Sequence, residues 1–60
     1  MSREEIRREV RNLVNKCIYF DICDFIDVVY THFEKMGVYD YKTIDKIIKE
    51  YSQYVIVKNN

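Results

Sequence analysis

The sequence predicts a mainly α domain built of three helices, with a short β-strand at its C-terminal end. Three observations carry that reading. The 60 residues contain no proline and a single glycine, Gly37, so little interrupts helix formation. Apolar residues recur at helical spacing on both sides of Gly37. Each periodic segment is preceded by a residue that caps helices well: Ser2, Asp21 or Asp40. With 48 % hydrophobic residues, the chain is neither a linker nor a disordered tail. It is expected to form one domain over residues 1–60.

Helix 1 is expected over about residues 3–16. Ser2 and Glu5 have the spacing of a capping box. Behind them Ile6, Val10, Leu13, Val14 and Cys17 fall on one face. Arg3, Arg7 and Arg11 line the opposite face with Arg8 beside them, and Glu4 stands at i, i+4 from Arg8, the favoured orientation for a pair. Cys17-Ile18-Tyr19-Phe20 is too apolar for an ordinary loop, and reads either as a last helical turn or as a short extended segment. Helix 2 is expected over about 22–36, with Asp21 as its cap and Asp24 near the positive end of its dipole. Its apolar set, Ile22, Phe25, Ile26, Val28, Val29, Phe33 and Met36, is wide enough to place it centrally.

Gly37 suits the left-handed position that closes a helix, with Val38 folding back on Phe33. Helix 3 then runs over about 41–52, capped by Asp40. It carries Tyr41, Ile44, Ile47, Ile48 and Tyr51 inward and Lys42, Lys46, Lys49 and Gln53 outward. Tyr54-Val55-Ile56-Val57-Lys58 has strong β-propensity and is expected as a strand over about 54–58, able to pair with 17–20 in a two-stranded ribbon.

Formal net charge is zero, with ten basic and ten acidic residues. The charges are unevenly placed: residues 1–16 and 38–60 lean basic, whereas 17–37 lean acidic. No apolar run approaches the roughly 20 residues that span a bilayer, and the charged Met1-Ser2-Arg3-Glu4-Glu5 start lacks the apolar core of a secretory signal. A cytoplasmic chain is expected, with Cys17 and Cys23 as buried, reduced thiols.

Catalytic chemistry finds no footing. There is one histidine, His32, and no Gly-rich phosphate loop, CxxC or HExxH. Asp24 and Glu34, on one regular helix, lie about 15 Å apart, too far to share a cation. No catalytic residue, metal, cofactor or small-molecule substrate is therefore expected, and the chain does not read as an enzyme.

Residues 22–51, with Met36-Gly37-Val38 at their corner, resemble a helix-turn-helix, and the whole chain resembles a reduced winged helix whose wing is cut down to the strand at 54–58. The Gly37-to-Ile44 spacing is one residue longer than the tightest form of the turn. The resemblance implies a DNA-binding transcription regulator with helix 3 as recognition helix. Lys42, Lys46 and Lys49 would face double-stranded DNA, Thr43 and Tyr39 would sit near the helix start, and Arg7 and Arg11 would add backbone contacts. Two copies acting as a homodimer would place two such helices on successive grooves. The competing class is a protein-interaction module, a small inhibitor or adaptor. Six tyrosines and three phenylalanines exceed what one small core covers, and tyrosine favours half-wet interfaces. Tyr19, Tyr30, Tyr54 and Ile56 are its expected contact residues, with the C-terminal strand adding to a partner's sheet or to its own copy in a homodimer.

Overall fold

Three helices account for most of the chain in the computed structural model, which describes residues 1–58. Helix α1 spans Arg3–Lys16 and opens with a reciprocal capping box. Ser2 Oγ accepts from the Glu5 N–H at 3.2 Å, and the Ser2 N–H donates to Glu5 Oε1 at 2.8 Å. That backbone bond holds the Glu5 carboxyl below its ordinary pKa, because it favours the ionised form. The buried face is Ile6, Val10, Leu13 and Val14. Glu4 pairs with Arg7 at i, i+3 rather than with Arg8.

Cys17 is extended, and it turns the chain into the link that leads to α2, Ile22–Lys35. Asp21 Oδ1 accepts from the Asp24 N–H at 2.8 Å, while Asp24 Oδ2 accepts from the Phe20 N–H at 2.9 Å. The two aspartates thus tie the link to the first turn of the helix.

The corner after α2 is a Schellman turn. Gly37 has φ +76°, its N–H donates to the Glu34 carbonyl at 3.0 Å, and the Val38 N–H donates to the Phe33 carbonyl at 2.9 Å. Val38 packs against the core. An inverse γ-turn follows, centred on Asp40 (φ −79°, ψ 70°), with the Tyr41 N–H donating to the Tyr39 carbonyl at 2.8 Å. It takes up the extra residue of this turn and aims Asp40 at α3, where it accepts from the Thr43 N–H at 3.4 Å.

Helix α3 spans Tyr41–Tyr51 and buries Ile44, Ile47 and Ile48. Beyond it the expected strand does not form: among the described residues there is a 3₁₀ turn at Ser52–Tyr54 and one parallel bridge, Tyr19 to Val57. The Tyr19 N–H donates to the Ile56 carbonyl at 2.9 Å, and the Lys58 N–H donates to the Tyr19 carbonyl at 2.7 Å. The helix end overrides β-propensity at Tyr54. Among the described residues its partner is a four-residue link between two capped helices, too short for a ladder.

The core joins the helical stripes to Tyr19, Phe25, Val29 and Phe33. Helix α3 packs on both others and most closely on α1, so α2 is not the central helix. Ile22 and Met36, expected on its wide apolar face, are exposed because they lie at its two ends, beyond the core. No described helix is long and apolar enough to cross a membrane.

Candidate nucleic-acid interface

Helices α1 and α3 run side by side in the same direction. Arg3 at the start of α1 lies beside Lys42 and Lys46, Arg7 meets Glu50, and Arg11 lies beside Tyr51 and Tyr54. Arg3, Lys42, Thr43 and Lys46 line a shallow open cleft of about 250 Å³. Among the described residues Arg3, Lys42 and Lys46 form no ion pair. Three positive charges and a hydroxyl on the first two turns of α3 and the first of α1 suit an anion with several oxygens.

The other expected DNA contacts are differently placed. Lys49 is exposed, but its Nζ lies 3.5 Å from Asp45 Oδ2. Arg7 is held in a network, 3.3 Å from Glu4 and 3.1 Å from Glu50. Glu50 is the main cause of its raised pKa, and Arg7 is not free for a ligand. Arg11 lies about 12 Å further along α1 from Arg3, in a separate groove with Val14, Asn15, Tyr51 and Tyr54. Tyr39 is exposed beside the basic cleft's helix and tilts onto Tyr41 at 6.3 Å.

Of the expected partner contacts, Tyr19 is buried and Tyr30 half-buried. Tyr19 is 3 % exposed. Its hydroxyl donates to the Leu13 carbonyl at 2.6 Å, and its ring meets Phe25 edge-on at 5.1 Å. Burial pushes its phenol up to about 12. Tyr30 is half-buried and committed, donating to Asp45 Oδ1 at 3.2 Å while packing edge-on against Tyr41 at 5.7 Å. Tyr41 in turn donates to Glu34 at 2.9 Å, which raises its pKa. These rings bolt α2 to α3. Tyr54 and Ile56 are exposed as expected.

Two features escaped the sequence reading. One is Arg3 as a member of the basic cleft, which only the parallel course of α1 and α3 brings to Lys42. The other is an apolar surface at Ile18 (65 % exposed) and Phe20 (72 %). Strict alternation along an extended Ile18-Tyr19-Phe20 would have signalled it, since burying Tyr19 turns both neighbours outward.

Cys17 and Cys23 are free and exposed rather than buried; one caps α1 and the other lies in the first turn of α2, both off the core. His32 Nε2 lies 2.8 Å from Glu9 Oε1, linking α2 to α1. Among the described residues no three His, Cys, Asp or Glu side chains gather as a metal site. No family model, curated protein or solved structure matches this chain.

Proposed function

We propose that this chain is a small, non-enzymatic DNA-binding protein of the helix-turn-helix type. In this reading it is a cytoplasmic transcription regulator that acts as a homodimer with α3 toward the duplex. The observation that carries the reading is the unpaired Arg3–Lys42–Lys46 cleft on the N-terminal turns of α3, where a recognition helix makes its contacts. Lys42 and Lys46 supply phosphate contacts, Arg3 a bidentate one, and Thr43 and Tyr39 lie at the helix start within reach of sugar or base edge. Support for the winged-helix part is narrower: it is the Tyr19–Val57 bridge, where the link before α2 meets the chain after α3.

The test is fluorescence anisotropy on a labelled duplex over a salt series. Three phosphate contacts per protomer, six per dimer, give a slope of log affinity against log salt of about −5.4, and Lys42→Ala with Lys46→Ala should remove about two thirds of it. Absence of binding at low salt rejects the proposal.

A second reading, a protein-interaction module acting as a small inhibitor or adaptor, draws on the exposed Ile18, Phe20, Tyr54 and Ile56. Patches of this kind on small proteins mark partner contacts.

A further inference from the structure

The least explained surface of the molecule is apolar and lies where α1 ends. Tyr19 and Val57 pair across the parallel bridge. Side chains alternate along extended backbone, so Ile18, Phe20 and Ile56 share the outer side of that bridge; they are 65 %, 72 % and 59 % exposed. Ile22 and Tyr54, each two residues along the chain, are exposed as well. Asp24 already occupies the Phe20 N–H, which blunts this edge against strand addition, so a contact here is made by side chains.

We infer that this face is covered by the same face of a second copy, in a two-fold dimer. Charge complementarity selects that occupant. The link is bounded by exposed Lys16 at one end and exposed Asp21 at the other. A two-fold axis across it sets the Lys16 of one copy against the Asp21 of the other and repeats the pair by symmetry. A formal net charge of zero removes long-range repulsion between copies.

The placement also deepens the DNA reading, on which this part rests. Arg3 and Cys17 sit at opposite ends of α1, about 20 Å apart at 1.5 Å per residue. A dimer joined at the apolar end with its two α1 helices in line holds its basic clefts roughly 40 Å apart, close to the ~34–36 Å repeat of successive grooves.

Sedimentation equilibrium of the full chain from about 1 µM to about 1 mM tests the contact. Wild type is expected to pass from monomer to dimer and stop there. Phe20→Glu and Ile56→Lys are expected to weaken association at least about tenfold, with helical circular dichroism unchanged because both residues are exposed. Met36→Glu, an exposed apolar site outside the patch, should leave it unchanged. Lys16→Glu should weaken the dimer, and adding Asp21→Asn, which keeps the helix cap, should restore part of it. A wild type that stays monomeric, one that grows past dimer, or a dimer indifferent to Phe20→Glu overturns the inference. A dimer with these sensitivities that binds no duplex supports the interface and rejects the DNA reading alone.

Discussion

Tyr19→Phe separates a hydrogen bond from a packing contact at a buried phenol. The ring is 3 % exposed and rests edge-on against Phe25, and phenylalanine keeps that contact and nearly all the volume. What is lost is the 2.6 Å bond from the phenol to the Leu13 carbonyl, leaving a shielded acceptor without this donor. Such a loss costs about 1–2 kcal/mol near neutral pH. In a domain of this size that lowers Tm by roughly 4–8 °C per kcal/mol. Alkaline pH should reverse the order of the two proteins. Burial pushes the Tyr19 phenol up to about 12 in the folded state, against about 10 in the unfolded chain. The unfolded state therefore releases its proton first. The stability tied to the neutral phenol is complete below pH ~10 and drains away as pH rises toward ~12, at about 1.4 kcal/mol per unit. Over that window wild type loses on the order of 3 kcal/mol that the phenylalanine variant keeps. Groups that do not touch Tyr19 contribute equally in both proteins and cancel in the difference. Urea unfolding followed by circular dichroism, repeated from neutral pH upward, should show the variant less stable at first and the two curves crossing in the alkaline window. A stability gap that does not change with pH would refute the assignment of the shift to a buried, bonded phenol.

Gly37→Ala should cost about 1 kcal/mol in the same urea assay, with Gly37→Asn costing less. No atom lies within 4 Å of the added Cβ, so the penalty is that of φ +76° alone, and equal stability would contradict the observed cap. Glu4→Gln together with Glu50→Gln should release Arg7 from both its carboxylates, tightening duplex binding and steepening the salt slope by about one per protomer; an unchanged slope would place Arg7 outside the interface.

What the sequence reveals here is local, and what it hides is pairwise. Ser2, Asp21, Asp40 and Gly37 act within three residues of themselves, so their spacing alone announces each helix end. The inward stripes of α1 and α3 are legible for the same reason, since 3.6-residue periodicity needs no knowledge of the partner. Tyr19 defeats such reading: within Cys17-Ile18-Tyr19-Phe20 every side chain is apolar, and choosing the buried one requires knowing that the Leu13 carbonyl and Phe25 wait on one side. The strand at 54–58 fails for a related reason. Propensity describes the segment, whereas a strand also needs a long enough neighbour. Arg7 illustrates the cost for a site: its stripe with Arg3 and Arg11 suggests three equivalent cations, and Glu50, 43 positions later, removes one of them.

Formal neutrality also conceals how differently the two signs are used. Glu5, Asp21 and Asp40 accept backbone amides at helix starts, and Asp24 takes the Phe20 amide. Glu4 and Glu50 hold Arg7, Glu9 holds His32, Glu34 accepts from Tyr41, and Asp45 accepts from Tyr30 beside Lys49. Among the described residues only Asp27 is left without such a partner. The cations are spent sparingly: Arg7 and Lys49 are paired, while Arg3, Lys42 and Lys46 converge on one cleft without a carboxylate bound to them. An acid fixed on a helix cap has part of its charge offset by the amides it holds and by the positive end of the helix. A lysine on a free stem can still swing to a ligand. Summed over the chain the charges cancel, but the sign available to a binding partner at the α1–α3 cleft is positive.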